Sequence, residues 1–182
     1  MKRTLEMAEL VSAGLVPAER ADALHQVASR WAVALTPGLA ARIDPADARD
    51  PLARQFLPHE DELLVGPDEL GDPIGDLAFR AVKGIVHRYP DRVLLKPTHA
   101  CAVYCRFCFR RERVGPGGDA LAPAELARAL DYVAGDARIW EVILSGGDPL
   151  VLSPRRIAAI VRRLGEIPHV QVIRVHTRVP AV

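Results

Sequence analysis

The chain has 182 residues, of which 49% are apolar and 26% are charged, and its formal net charge is +1. This length and composition place it among globular proteins that are long enough to bury a core of their own. A net charge so close to zero gives no electrostatic reason to expect nucleic acid or an anionic membrane as a partner.

The N-terminus lacks the pattern of an export signal. Glu6 and Glu9 stand where a signal peptide needs an unbroken apolar run, and no stretch approaches the ~18 apolar residues of a membrane span. We therefore expect a cytoplasmic protein. An odd number of cysteines in that reducing compartment argues against a framework of disulfides.

Residues 1 to about 60 are rich in alanine and predict helices. The longest predicted helix starts near Pro17, and its apolar stripe is formed by Leu24, Val27, Trp31 and Leu35. Acidic side chains, Pro and Gly dominate residues 58–76, which is the composition of a linker. We predict a helical segment and linker over residues 1–76 and a second domain over residues 77–182.

Three apolar strands alternate with two helices in the second part of the chain. The strands are predicted at 92–98, 140–150 and 170–177, and the helices at 121–135 and 153–165. Each helix has a proline near its start and a glycine at its end. Because the strands are continuous runs of Val, Ile and Leu, this order predicts a parallel sheet buried on both faces.

All three cysteines of the chain lie within eight residues, with the spacing C-x3-C-x2-C, directly after the strand at 92–98. They are Cys101, Cys105 and Cys108. Three interpretations are open: small buried apolar side chains, a structural zinc site with His99 as fourth ligand, and an iron–sulfur cluster.

The cluster is the interpretation that the pattern favours. Cysteines that only fill a core would be scattered, and structural zinc usually draws its ligands from two separated pairs, of which this chain has one at most. Three thiolates would bind a [4Fe–4S] cluster and leave its fourth iron open to another ligand. A loop that follows a parallel strand also lies where βα-barrels place their chemistry.

This cysteine spacing resembles that of the radical SAM superfamily, including an aromatic residue before the second and the third cysteine (Tyr104 and Phe107). The stretches "HRYPDRVLLKPTHACAVYCRFCFRR", "ILSGGDPL" and "IPHVQVIRVHTRVP" resemble the lysine 2,3-aminomutase family, with its branch that acts on elongation factor P. The resemblance runs from about residue 70 to the end. It implies an α/β fold, in which the helical segment precedes the first half of a partial (β/α) barrel with parallel strands.

The resemblance also implies cofactors and the residues that hold them. Cys101, Cys105 and Cys108 would bind a [4Fe–4S] cluster whose open iron chelates S-adenosylmethionine. The segment Ser145, Gly146, Gly147 and Asp148 would hold the methionyl amine of S-adenosylmethionine, and Arg88, Tyr89 and Arg92 would contact pyridoxal 5′-phosphate. Arg110 would bind the carboxylate of the substrate. Without the resemblance, these same residues would be interpreted as turns and surface charges.

The reaction implied is migration of an amino group from the α- to the β-carbon of an amino acid, in an enzyme that receives its electron from an external donor. Phe107 and His176 depart from the residues usual in aminomutases that act on free lysine. The substrate therefore stays open between lysine, another amino acid and a lysyl group on a protein, and a homo-oligomer is compatible with the family.

The family pattern continues beyond the sequence given. The lysine that forms the Schiff base with pyridoxal phosphate is expected beyond residue 182, because neither Lys83 nor Lys96 lies in the matching motif. We accordingly expect a C-terminally truncated chain, incomplete and inactive in aminomutase turnover by itself.

Overall fold

The computed structural model describes residues 4–182, and the chain passes back and forth between two units. The first unit contains the described residues up to Pro73, together with Cys101–Pro116 and Val182. The second contains Ile74–Ala100 and Gly117–Ala181. The cysteine loop is thus a part of the first unit, although it interrupts the sequence of the second.

The first unit is built from short helices. They are α1 (Met7–Ser12), α2 (Ala21–Arg30), α3 (Pro37–Ala40) and α4 (Pro51–Phe56), with 3-10 helices at Ala18–Arg20 and Glu60–Leu63. Their core is formed by Met7, Leu10, Val16, Leu24, Val27, Trp31, Ala34, Leu35, Leu39, Ile43 and Phe56, together with Val103 and Tyr104 from the cysteine loop.

The helix predicted to reach Leu35 ends at Arg30, and Trp31 is already extended. The carbonyls of residues 34 and 35 accept hydrogen bonds from the amides of Tyr104 (2.9 Å) and Leu5 (2.7 Å). These partners are distant in sequence, so pairing between segments overrides the local helical pattern. Trp31 and Leu35 are nevertheless buried, as the apolar stripe predicted.

The second unit contains a four-stranded sheet in the order β1-β2-β3-β4. The strands are β1 (Ile85–Tyr89), β2 (Arg92–Thr98), β3 (Glu141–Gly146) and β4 (Val172–Val175). Helices α5 (Pro123–Ala134) and α6 (Pro154–Gly165) connect β2 to β3 and β3 to β4, whose pairings are parallel. The α/β fold with parallel strands is therefore confirmed, and the open sheet is that of a partial barrel.

Two features of the sheet differ from the prediction. β1 was not predicted; it pairs antiparallel with β2 through a tight turn at Pro90 and Asp91. β4 is not buried on both faces, since none of its residues is fully buried and Val175 is 38% exposed. Within the described residues, β4 pairs only with β3, so its other edge carries unpaired backbone groups.

Helix ends in this unit follow their local signals. The hydroxyl of Ser153 accepts a hydrogen bond from the amide of Arg156, and Pro154 occupies the first position of α6. The apolar sides of α5 and α6 share one core with the sheet, formed by Ile85, Val93, Leu95, Leu121, Ala129, Leu130, Val133, Ile139, Val142, Leu144, Ile160, Leu164 and Ile167.

Among the described residues, no helix has the length and apolar character needed to cross a membrane.

The core of the second unit gives a stability prediction. Ile160 of α6 is 1% exposed, whereas its neighbour Val161 is 37% exposed. Ile160→Ala should lower the free energy of unfolding by about 2–5 kcal/mol, because it removes buried methyl groups and leaves a cavity. Val161→Ala should change it by less than about 0.5 kcal/mol. Urea unfolding followed by circular dichroism measures both, and equal effects would contradict this assignment of the core.

Candidate functional site

The cysteine loop between β2 and α5 holds its three thiols in a tightly turned backbone. Cys101, Cys105 and Cys108 are all partly buried and none forms a disulfide. The amide of Cys108 donates to the carbonyl of Cys105 at 3.1 Å, and the amide of Cys101 donates to Gly115 at 3.1 Å. The last bond closes the base of the loop, so the three thiols are carried by one compact segment.

Three cysteines on one loop suit an iron–sulfur cluster, in which each thiolate binds a different iron. Within residues 4–182, no three side chains of His, Cys, Asp or Glu form a group that could hold one metal ion. His99, the fourth ligand of the zinc interpretation, has its Nδ1 atom 2.9 Å from Oδ1 of Asp119.

Arg106, between the second and third cysteines, is buried. Its Nε and Nη2 atoms donate to the Glu62 carboxylate at 2.9 and 2.6 Å, and its Nη1 donates to the carbonyl of Ala32 at 2.7 Å. Its backbone amide donates to Gln55 at 2.8 Å, and its guanidinium lies 5.0 Å from the ring centre of Tyr104.

Arg111 joins the same network. It donates to the Glu62 carboxylate, and its guanidinium stacks 3.7 Å from the ring centre of Trp31. Its backbone carbonyl accepts from the Tyr104 hydroxyl at 2.8 Å. Burial would raise the pKa of Glu62, but hydrogen bonds from Arg106, Arg111 and the His59 amide hold it below its ordinary value.

Aromatic side chains flank the third cysteine on the outside of the loop. Phe107 is 61% and Phe109 is 49% exposed. The guanidinium of Arg110, the predicted ligand of the substrate carboxylate, lies 4.7 Å from the ring centre of Phe109. Arg110 is thus partly exposed on this surface, unlike the buried Arg106.

The Gly146–Gly147 turn is shaped by the backbone that follows β2. The amide of Gly147 donates to Thr98 at 2.9 Å, and that of Asp148 donates to Ala100 at 2.8 Å. A Cβ at Gly147 would lie 2.2 Å from the Ala100 oxygen, and Gly146 has a φ of +104°. Both glycines are therefore required by this close approach, whatever ligand they also serve.

The carboxylate of Asp148 already accepts several protein hydrogen bonds. Oδ1 accepts from Leu150 (2.9 Å) and the Thr177 hydroxyl (2.7 Å), and Oδ2 accepts from the amides of Arg178 (2.7 Å) and Val179 (3.2 Å). Asp148 therefore ties the segment after β4 to the turn after β3. A ligand amine that contacts Asp148, as predicted, would have to share these oxygens with their protein donors.

Ser145, the other polar side chain of this predicted segment, differs from Asp148. It is buried near the end of β3. Its hydroxyl makes no hydrogen bond to any residue that the structure describes. This hydroxyl is therefore uncommitted, which suits a contact with a ligand.

The three residues predicted for pyridoxal phosphate line one cavity of about 140 Å³ in the second unit. Arg88 donates to the carbonyl of Ile74, and Arg92 pairs with Asp91 at 3.0 Å. Hydrogen bonds from Arg92 and Trp140 lower the pKa of Asp91 to about 2. The structure brings these residues together, but the cavity is smaller than the ~300–1,000 Å³ of sites that enclose organic ligands, so it does not fit the whole cofactor.

Two lysines near these segments are held in ion pairs. Lys96 is buried on β2 and lies 3.2 Å from a carboxylate oxygen of Asp76. Lys83 lies 2.8 Å from Glu125. Neither lysine lines the cavity of Arg88 and Arg92.

Comparison with known proteins gives consistent matches. Residues 95–182 match the model of the radical SAM superfamily. L-lysine 2,3-aminomutase of Clostridium subterminale is 37% identical over 164 residues, 90% of this chain and 39% of the relative. That of Acetoanaerobium sticklandii is 39% identical over 150 residues, 82% of this chain and 36% of the relative. A putative L-lysine 2,3-aminomutase of Aquifex aeolicus is 36% identical over 168 residues, 92% of this chain and 45% of the relative.

These alignments are longer than the part of the chain from residue 70 onward, so they include some of the N-terminal helical part, which the sequence motifs had left out. The chain spans about two-fifths of the length of these relatives. The matched model begins on β2 and includes both the cysteine loop and the glycine turn. The chain therefore belongs to the lysine 2,3-aminomutase family of the radical SAM superfamily.

Proposed function

We propose that the chain acts in a radical SAM isomerase that uses a [4Fe–4S] cluster, S-adenosylmethionine and pyridoxal phosphate to move an amino group from the α- to the β-carbon of its substrate. The substrate would be lysine, a related amino acid or a lysyl group on a protein. The observation that carries the proposal is the cysteine loop, where three cysteines, none of them in a disulfide, follow the carboxyl end of parallel strand β2. The names of the relatives support the reaction class.

When bound, the cluster would supply the electron for reductive cleavage of S-adenosylmethionine to methionine and a 5′-deoxyadenosyl radical. Cys101, Cys105 and Cys108 would hold the cluster and leave one iron open to the amino and carboxylate groups of S-adenosylmethionine. Phe107 and Phe109, on either side of Cys108 in the sequence, are exposed. An external electron donor would approach the cluster at this apolar surface.

Ser145 and the turn after β3 would contact the methionyl amine of S-adenosylmethionine. The glycines leave no side chain over this turn, and the Ser145 hydroxyl is uncommitted within the described part of the chain. Both this turn and the cysteine loop follow the carboxyl ends of neighbouring parallel strands. Ala100, whose carbonyl accepts a hydrogen bond from the Asp148 amide, directly precedes Cys101 in the sequence.

The pyridoxal phosphate assignment rests on the family and on the shared cavity of Arg88, Tyr89 and Arg92. Two guanidinium groups beside an apolar wall suit a phosphate. Arg110 remains the proposed ligand of the substrate carboxylate, because its guanidinium is partly exposed on the cysteine loop.

The cluster assignment predicts the metal content. Anaerobic reconstitution should give about four irons and four sulfides per chain. Replacing any of the three cysteines with alanine should abolish this content, because three thiolates are the minimum that holds such a cluster here. His99→Ala is the matched control and should leave the iron content unchanged. Stoichiometric zinc without sulfide, lost in His99→Ala, would instead establish the structural zinc site.

The glycine-turn assignment predicts separate effects on ligand affinity and on stability. Ser145→Ala and Asp148→Ala should both weaken binding of S-adenosylmethionine to the reconstituted protein, with iron content intact. Only Asp148→Ala should also lower the midpoint of thermal unfolding, because the amides of Arg178 and Val179 lose their acceptor. Calorimetric titration and thermal unfolding measure the two effects.

Thr177→Val separates the two roles of Asp148. It removes one hydrogen bond from Oδ1 but keeps the negative charge. If the carboxylate contacts the ligand amine, this variant should retain affinity while Asp148→Ala loses it. Equal losses in both would show that Asp148 acts only by holding the segment after β4, and unchanged affinity in all three variants would contradict the assignment of the turn.

A further inference from the structure

Glu62 lies outside every motif that the sequence singled out, and it connects two distant parts of the first unit. It belongs to the 3-10 helix Glu60–Leu63. Its carboxylate accepts from Arg106, 44 residues later, and from Arg111, 49 residues later. These arginines bracket Cys108 in the sequence, and Arg106 directly follows Cys105.

The contacts of Arg106 leave its side chain one orientation. A bidentate pair with Glu62, a bond to the Ala32 carbonyl and the ring of Tyr104 fix its guanidinium. Its side chain is only 6% exposed and that of Glu62 only 11% exposed. A buried ion pair of this kind is costly to break, because the remaining partner keeps an uncompensated charge.

The charges of this network are unequal. Two guanidinium groups meet one carboxylate, since Arg106 and Arg111 share Glu62. The reduction potential of an iron–sulfur cluster depends on the charges and hydrogen bonds around it. Reduction adds one negative charge, so a nearby cation favours the reduced cluster and a nearby anion opposes it.

We propose that Glu62 is a positioning residue that fixes the cysteine loop through Arg106 and Arg111. Its negative charge also offsets part of the positive charge of these arginines and thereby lowers the reduction potential of the cluster bound by the loop. The proposal rests on the proposed function in its second half, because only a bound cluster has a potential. The first half concerns the loop itself and holds for the protein without a cluster.

Glu62→Gln tests both halves, and Glu60→Gln is its matched control. Glu60 lies in the same 3-10 helix, but its carboxylate pairs with Arg20, at 3.0 Å from Nε, and not with the cysteine loop. In the protein without cluster, Glu62→Gln should speed amide hydrogen exchange in residues 101–113 at least tenfold. Glu60→Gln should leave exchange in these residues unchanged.

Substitutions of Arg106 separate charge from geometry. Arg106→Lys keeps the charge but loses the two-pronged contact with Glu62, so exchange in the loop should be faster while the potential stays the same. Arg106→Gln should move the potential of the reconstituted cluster to more negative values, and Glu62→Gln should move it to more positive values. Electrochemical titration followed by electron paramagnetic resonance measures these shifts.

The outcomes keep this inference distinct from the proposed function. Failure of the unaltered protein to assemble a cluster would contradict the proposed function and, with it, the effect on potential, while hydrogen exchange would still decide the positioning role. If Glu62→Gln does not fold, Glu62→Asp takes its place and should speed exchange without shifting the potential. Equal exchange and equal potentials in Glu62→Gln and Glu60→Gln would overturn the inference.

Discussion

The rest of the structure depends on the contact between the end of β2 and the turn after β3. The amides of Gly147 and Asp148 donate to the carbonyls of Thr98 and Ala100, and only glycine can occupy position 147 at that distance. This contact fixes the point at which the chain leaves the sheet. Ala100, whose carbonyl accepts one of these bonds, directly precedes the first cysteine in the sequence.

Two kinds of polar contact then hold the segments around the turn and the loop. In the second unit, the carboxylate of Asp148 accepts hydrogen bonds from the turn after β3 and from residues 177–179 after β4. In the first unit, the carboxylate of Glu62 accepts hydrogen bonds from Arg106 and Arg111 of the cysteine loop. In each case one carboxylate that is little exposed satisfies several donors from distant segments. Such an arrangement costs desolvation, but it specifies one conformation, because every alternative leaves buried donors unpaired.

The sequence predicted what is encoded locally. α6 begins at Pro154 after the Ser153 cap, and β2 spans the predicted residues 92–98, because capping residues and continuous apolar runs act within a few positions. The end of α2 and strand β1 were missed, since both depend on pairing with other segments. The cysteine trio was visible from its spacing. The burial of Arg106 was not, because its partner Glu62 lies 44 residues away and carries no local signal.

The cysteine loop interrupts the sequence of the second unit but is a part of the first, and this has a consequence for the order of folding. Val103 and Tyr104 complete the core of the first unit, yet they are synthesised only after β1 and β2 of the second. During synthesis, the apolar surface of the N-terminal helices therefore stays partly exposed until the cysteine loop has left the ribosome. The thiols become enclosed only at that moment, which leaves an interval during synthesis in which they are open to oxidation or to metal capture.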